Sequence, residues 1–152
     1  MWVPQGPGEI PEARAQPAPR AVAAAPAPAA QAATAPVSTA APGGYTQATR
    51  YGDLLFVSGQ IGLDAAGQLK GNAEEQTRQA MENVRAILES HRLTMANIVT
   101  VTVYMKDMNG DFRAMDTAYE SFFRTALPSR SLVEVSRLPR NALVEITVIA
   151  GR

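Results

Sequence analysis

The sequence contains no cysteine and only one histidine, His91. Without cysteine, the chain can form neither a disulfide framework nor a thiol nucleophile, and zinc sites built from Cys and His are excluded as well. A Ser-His-Asp triad would have to use His91, and no pattern around that residue indicates one. Any chemistry must therefore come from arginine, carboxylates, serine, tyrosine and the backbone.

The chain also lacks a surplus of charge and a long apolar run. Its 14 basic and 14 acidic residues leave a formal net charge of zero over 152 residues. A nucleic-acid binder usually carries a basic surplus that displaces counterions, so a general nucleic-acid-coating role is disfavoured. No apolar run approaches the roughly 18 residues of a membrane span. We therefore expect a soluble, cytoplasmic protein with neither a nucleic acid nor a membrane as its partner.

Residues 1–41 differ in composition from the rest of the chain. They hold 15 alanines and eight of the 11 prolines, which interrupt any helix every few residues. With few large apolar side chains, the segment cannot bury enough surface to offset its chain entropy. It also lacks the pattern of a secretory signal. We predict a disordered, partly polyproline-like tail over 1–41 and one compact domain over 42–152.

The compact part predicts the element order ββαβαββ. Strands are expected near Gln47–Tyr51 and Leu54–Ser58 and over Ile98–Lys106, Arg130–Ser136 and Leu143–Ala150. One helix is expected from about Ala73 to His91, with Asn72 as its cap, and a second from the cap Asp111 to just before Pro128. This order indicates an α+β fold in which two helices cover one face of the sheet.

Alternation along the last two strands predicts which side chains lie under the helices. Those expected there are Ser131, Val133, Val135, Val144, Ile146, Val148 and Ala150. Those expected on the opposite face are Arg130, Leu132, Glu134, Leu143, Glu145, Thr147 and Ile149. This second face is too apolar for water and too charged for a dry core. We therefore expect it to pack against further copies in a closed homo-oligomer, with pockets at the seams.

Three stretches of the chain carry a resemblance to a known family. They are GGYTQATRYGDLLFVSGQIGLD, VTVYMKDMNGDF followed by YESFF, and PSRSLVEVSRLPRNALVEITVIA. In this order they resemble the Rid/YjgF family of reactive intermediate deaminases, over essentially all of Gly43–Arg152. The resemblance implies a chorismate-mutase-like fold and a homotrimer whose sheets form an inner barrel. It also implies hydrolysis of 2-imino or enamine acids, such as 2-aminoacrylate, to 2-oxo acids and ammonia, with neither cofactor nor metal.

The same resemblance implies roles for individual residues. Arg130 matches the arginine that clamps the substrate carboxylate, and Glu145 matches the glutamate associated with the hydrolytic water. Tyr45 and Ser58 match a tyrosine and a serine of the substrate pocket. A guanidinium suits this clamp because its planar fork can donate two hydrogen bonds to one carboxylate.

Three positions depart from the usual pattern of the family. Gly44 stands where proline is common, and Asp116 replaces a frequent asparagine in the second helix. Leu132 stands where many deaminases have a pocket cysteine, so we expect Leu132 to line the site and to narrow it toward small substrates. These departures bear on substrate preference more than on the carboxylate clamp.

The same residues also have purely structural interpretations. Arg130 would pair with Glu134 or Glu145, while Tyr45 and Ser58 would belong to ordinary turn or strand structure. Two other functions stay open: a non-catalytic trimer that binds 2-oxo or amino acids through Arg130, and an endoribonuclease. The second is disfavoured by the zero net charge, the lack of a histidine pair and the lack of an aromatic platform.

Overall fold

The computed structural model describes residues 37–41 and 45–152. In these ranges the elements are β1 Val37–Ala41, β2 Tyr45–Tyr51, β3 Leu54–Ile61, α1 Ala73–Ser90, β4 Ile98–Met105, α2 Met108–Glu120, β5 Ser129–Glu134 and β6 Val144–Gly151. Single turns of 3-10 helix lie at Met95–Asn97 and Pro139–Asn141. The predicted α+β class is confirmed, and the order ββαβαββ is found from β2 onward.

The strands form one sheet in the order β1-β2-β3-β6-β4-β5. β4 and β5 run parallel and are connected by α2, whereas the other neighbouring pairs are antiparallel. A parallel pair needs a crossover connection, which α2 supplies. The last strand of the chain therefore lies near the middle of the sheet, and β5 forms one of its edges.

Helix α1 begins at the predicted cap. The Oδ1 atom of Asn72 accepts a hydrogen bond from the backbone N–H of Glu75 at 2.9 Å, and the Glu75 carboxylate accepts one from the Asn72 N–H at 3.2 Å. This reciprocal capping box satisfies two N–H groups that have no partner within the helix. Neither α1 nor any other helix in the described part of the chain is long and apolar enough to cross a membrane.

Helix α2 begins and ends earlier than predicted. Its cap is Asp107, whose Oδ1 accepts hydrogen bonds from the N–H groups of Asn109 and Gly110 at 2.9 and 3.0 Å, while Asp111 lies in the first turn. Both aspartates are suitable caps, and only the path of the chain after β4 decides between them. The helix ends at Glu120, well before Pro128. There the Ser121 hydroxyl donates to the Ala118 carbonyl at 2.6 Å, a local bond that competes with further helix.

The helix-covered face of the sheet carries the core. In β6, Val144, Ile146, Val148 and Ala150 are each at most 2% exposed. They pack with the apolar stripe of α1 and with Met115 and Tyr119 of α2. The predicted alternation of this strand is confirmed. Glu145 therefore points to the opposite, open face of the sheet, because side chains alternate along a strand.

The predicted alternation of β5 is wrong. Arg130 and Leu132 align in register with Val101 and Val103 of β4, which are fully buried. Arg130 and Leu132 therefore lie on the helix-covered face, and Val133, expected under the helices, is 39% exposed. Apolar residues occur in both phases of this short edge strand, so hydropathy does not decide its orientation. Pairing with β4 decides it.

The sheet begins before the predicted domain boundary. β1, Val37–Ala41, lies inside the segment predicted to be disordered, and it pairs antiparallel with β2 from Val37 opposite Arg50 to Ala41 opposite Tyr45. These five residues contain no proline, whereas proline recurs every few residues before them, and a strand at the edge of a sheet can form from them. The prediction for residues 1–36 lies outside the described residues.

Candidate functional site

A cleft of about 740 Å³ lies beside the end of β3. Its lining includes Tyr45 of β2, Gly59 of β3, Glu145 of β6 and Asn83 of α1. Two sequence-predicted site residues, Tyr45 and Glu145, thus line the same cleft, and Ser58 immediately precedes Gly59. Of the four residues that the sequence assigns to the water and the pocket, Glu145, Tyr45 and Ser58 are thus brought together, and Leu132 does not line this cleft.

Glu145 is the acidic centre of this cleft. In register it lies opposite Ile61 of β3 and Tyr104 of β4. Burial raises the pKa of the Glu145 carboxyl above its ordinary value of 4.5. In the described part of the chain, no lysine or arginine forms an ion pair with it. A carboxylate that is partly desolvated and lacks a cation is suited to accept a proton.

Gly59 makes the position of Glu145 possible. A Cβ atom on Gly59 would overlap Oε1 of Glu145 and would lie only 2.7 Å from its Cδ. The pairing of β3 with β6 shifts register between Val57 and Gln60, so Gly59 lies in an irregular part of the strand. Such irregularities are frequent beside active sites. Sequence reasoning did not select Gly59, although it lies within the Ser58-Gly59-Gln60 motif.

Tyr45 and Ser58 complete the cleft-side group. The Tyr45 hydroxyl donates to the Gly59 carbonyl at 2.7 Å, and the Ser58 hydroxyl donates to the Thr46 carbonyl at 2.7 Å. Desolvation raises the pKa of Tyr45, with a smaller contribution from the Glu145 charge, and the Ser58 hydroxyl opposes the rise. The phenol therefore keeps its proton at neutral pH. We call Tyr45, Ser58, Gly59 and Glu145 the Glu145 half-site.

Arg130 is not part of this cleft. It lies under α2, with Nη1 2.7 Å from Oδ1 of Asp116 and with Cζ 4.6 Å from the ring centroid of Tyr119. The predicted structural pairing of Arg130 with Glu134 or Glu145 is wrong, because Asp116 takes that place. The partner is an aspartate three residues before Tyr119, so one face of α2 presents both to the guanidinium.

Tyr119 is a neighbour of Arg130 that sequence reasoning missed. Burial raises the pKa of Tyr119 to about 12; the Arg130 charge opposes this rise, and Asp116 adds to it. Its ring packs against Phe123 at a centroid distance of 4.9 Å. The only sequence signal was the spacing from Asp116 to Tyr119. We call Asp116, Tyr119, Arg130 and Leu132, which lies on the same face as Arg130 and packs against the core, the Arg130 half-site.

The two half-sites are separate within one chain. Arg130 aligns with Val101 of β4 and Glu145 aligns with Tyr104, so the two residues are two strands and three residue positions apart. Strand and residue spacings make the separation of their Cα atoms roughly 14 Å, and the side chains leave opposite faces. The prediction that Arg130 and Glu145 share a face is therefore wrong. One copy of the chain cannot bring both to a single small molecule.

No group of three or more His, Cys, Asp or Glu side chains suited to a metal ion occurs among the residues that the structure describes. The Glu145 half-site offers a proton acceptor beside a protonated phenol. The Arg130 half-site offers a guanidinium that can bind an anion.

The chain matches the family model described as Endoribonuclease L-PSP over residues 34–151. It belongs to this family, the Rid/YjgF family of the resemblance above. The match starts before β1 and ends with β6, so family membership covers the sheet and both helices. It also includes β1, in accord with a folded domain that begins before Pro42.

Members of the Rid/YjgF family with different names are similar to this chain. A RutC family protein from Pyrococcus horikoshii is 46% identical over 110 residues, which cover 71% of this chain and 86% of that protein. A 2-iminobutanoate/2-iminopropanoate deaminase from Salmonella typhimurium is 42% identical over 117 residues, covering 74% of this chain and 91% of the deaminase. The crystal structure of Escherichia coli TdcF with bound serine superposes with a TM-score of 0.70 at 35% identity, covering 76% of this chain and 93% of TdcF.

Proposed function

We propose that this protein hydrolyses small 2-imino or enamine acids to 2-oxo acids and ammonia without a cofactor. The observation that carries this proposal is the Glu145 half-site, where a carboxylate of raised pKa lies in an open cleft beside the Tyr45 hydroxyl. The name of the Salmonella relative supports the substrate class. A protonated imine is already electrophilic, so its hydrolysis needs little beyond a positioned water and a proton acceptor.

The complete site is formed between copies of the chain. The open face of the sheet, to which Glu145 belongs, also carries Phe56 and Val133, which are 41% and 39% exposed. Exposed apolar side chains of this size favour a subunit interface. Arg130 lies on the edge strand β5, where a neighbouring copy can reach it. In a homotrimer, one copy would supply Arg130 and the next copy would supply Glu145 to the same substrate.

The proposed reaction needs few parts. Arg130 binds the substrate carboxylate, which fixes the imine carbon relative to Glu145 of the neighbouring copy. Glu145 takes a proton as a water oxygen forms a bond to that carbon. Glu145 returns this proton to the nitrogen of the resulting carbinolamine, and the carbon–nitrogen bond breaks. The hydroxyl oxygen becomes the carbonyl oxygen, and its proton leaves with ammonia as ammonium. The Tyr45 hydroxyl, which stays protonated, supports this proton transfer by hydrogen bonding.

A coupled assay tests the activity. An amino-acid oxidase or a dehydratase generates imines of varied side chain, and release of the 2-oxo acid is followed with and without the protein. We expect faster release for the small imines, since Leu132 fills space beside Arg130. Unchanged release for every imine, together with binding of serine, would instead support the non-catalytic binding trimer, to which the serine-bound TdcF structure lends weight.

An endoribonuclease is a second candidate, because the matching family model carries that description. RNA cleavage would need a cationic surface and proton-transfer groups beside a phosphate. The zero net charge and the single histidine disfavour it. Incubation of labelled RNA with the protein and with a Glu145→Gln variant decides the matter. Cleavage by the first and not by the second would replace the deaminase proposal.

A further inference from the structure

The environment of Arg130 contains an anion that belongs to the protein itself. Oδ1 of Asp116 lies 2.7 Å from Nη1 of Arg130, and their side chains are 26% and 21% exposed. Within the described ranges, the buried side-chain polar atoms without a hydrogen-bond partner are Asp116 Oδ1, Arg130 Nη1 and the Tyr119 hydroxyl. Because Asp116 and Tyr119 both lie against Arg130, the three residues form one cluster. The contact between Asp116 and Arg130 is an ion pair that lacks hydrogen-bond alignment.

This arrangement makes the Arg130 half-site electrically neutral and polar. The guanidinium is cationic, Asp116 is anionic, and the Tyr119 phenol beside them is neutral. Cζ of Arg130 lies over the Tyr119 ring, and Nη1 faces Asp116, so a ligand would bind the remaining nitrogens of the guanidinium. Any ligand that reaches Arg130 thus also meets the negative charge of Asp116 a few ångströms away.

Ligands of different charge interact differently with such a pair. A plain carboxylate is attracted by Arg130 and repelled by Asp116, so the two effects oppose each other. A zwitterion places a carboxylate and a cationic nitrogen two bonds apart and can satisfy both members of the pair. Partial burial strengthens both effects relative to water, because the local dielectric is lower.

We propose that Asp116 makes the Arg130 half-site selective for zwitterions, namely protonated 2-imino acids and α-amino acids, over 2-oxo acid anions. This inference rests on the proposed function, which places the substrate carboxylate on Arg130. Hydrolysis removes the cationic nitrogen, so the 2-oxo acid product loses its favourable contact with Asp116 and keeps the repulsion. Asp116 thereby favours substrate over product and acts as a specificity-determining residue.

Binding without turnover tests the inference. Isothermal titration calorimetry measures the Kd of serine and of 2-oxobutanoate for the full chain and for Asp116→Asn, which keeps the side-chain shape and removes the charge. We expect the variant to bind 2-oxobutanoate about tenfold more tightly and serine no more tightly, so the ratio of the two Kd values moves by about tenfold. A structural defect would weaken the binding of both ligands by a similar factor and leave this ratio unchanged.

Three further proteins complete the design. Asp111→Asn removes the same charge from the first turn of α2 and should leave both Kd values unchanged. Asp116→Ser provides a second neutral variant, with the same expected direction if the asparagine variant fails to fold. Arg130→Ala should bind neither serine nor 2-oxobutanoate, which would show that both ligands bind to the guanidinium.

An unchanged ratio in both neutral Asp116 variants would overturn the inference, as would binding of both ligands by Arg130→Ala. The assay of imine hydrolysis is independent of this measurement. If the ratio changes but the unaltered protein does not hydrolyse imines, the deaminase proposal is contradicted and the selectivity proposal is supported. If the protein hydrolyses imines but the ratio does not change, only the selectivity proposal is contradicted.

Discussion

Glu145 is the residue that the proposed chemistry depends on most, and replacing it by glutamine isolates its role. Glu145→Gln keeps the shape and the hydrogen bonding of the side chain and removes its basicity. We expect kcat to fall by about 10²–10⁴-fold, the usual contribution of a general base. The Kd of 2-oxobutanoate, measured by calorimetry, should change far less. Equal losses in both would assign Glu145 to binding or to structure.

The pH profile of kcat provides an independent check on the same residue. Glu145 must be ionised to accept a proton, so kcat should fall as the pH drops through the pKa of Glu145. Because burial raises this pKa, the fall should be centred above pH 4.5. The residual activity of Glu145→Gln should not show this fall at low pH. If the variant still shows it, the fall reports the titration of another group.

Gly59→Ala tests whether the position of Glu145 in the cleft depends on the absence of a side chain at residue 59. The added Cβ would overlap the Glu145 carboxylate, so the carboxylate must move and activity should drop at least tenfold with only a small loss in Tm. Gly151→Ala is the matched control, because its Cβ would meet a methyl group of Leu54 at 3.1 Å and the Asp53 carbonyl and a Val99 methyl group at 3.7 Å, none of which belongs to the cleft. Activity is measured in the imine assay and Tm by calorimetry. Full activity of Gly59→Ala would show that the carboxylate tolerates displacement.

At the scale of single elements, predictability followed the clarity of the hydrophobic pattern. In β6 apolar and polar residues alternate without exception from Val144 to Val148, and the predicted faces are those observed. In β5, Leu132 and Val133 are neighbours, so either phase buries one large apolar side chain. Pairing with β4 settles the phase, and this long-range contact has no local signature.

β1 shows the same limit at the other end of the sheet. Its residues, one valine, one serine, one threonine and two alanines, do not alternate between apolar and polar, so nothing local marks it as a strand. Its backbone is ordered by the edge of β2, to which it adds a ladder of hydrogen bonds. Because β1 forms by pairing with β2, it can be predicted only when the position of β2 in the sheet is known.

Two truncations measure what β1 contributes. A chain that starts at Val37 keeps the strand, and a chain that starts at Pro42 lacks it and exposes the backbone of β2. We expect the second chain to melt several degrees lower, because about 1 kcal/mol is typical of a lost internal hydrogen bond and shifts Tm by about 4–8 °C in a domain of this size. Thermal unfolding by circular dichroism makes the comparison. Identical Tm values would mean that β1 adds nothing to stability.

At the scale of the whole molecule, the sequence predicted which residues belong to the site better than it predicted how they are arranged. Motifs named Arg130, Glu145, Tyr45 and Ser58, and the structure places the last three together. Arg130 lies apart because the orientation of β5 puts it under α2. Its neighbours Asp116 and Tyr119 come from a helix whose contacts with β5 the sequence does not specify. Such a scatter within one chain is what the proposed sharing of the site between subunits would produce.

Mixing two inactive variants tests that shared site. Arg130→Ala and Glu145→Gln should each lose activity as pure proteins, and each should sediment as a trimer, because neither change removes apolar interface. In mixed trimers, an Arg130 from the glutamine variant meets a Glu145 from the alanine variant wherever the two copies adjoin in the right order. Trimers that contain both variants should therefore recover about a third of the unaltered activity, since one of their three sites has the required variant on either side.

The measurement of this recovery uses co-expression of the two variants with different affinity tags, two-step purification and the imine assay. Purified homotrimers combined without exchange of subunits are the control and should stay inactive. Sites formed within one chain could not be restored by any mixture, because every chain would carry one defect. Recovery on mixing thus depends on Arg130 and Glu145 meeting across a subunit boundary, which is the arrangement we propose from their placement on opposite faces of one sheet.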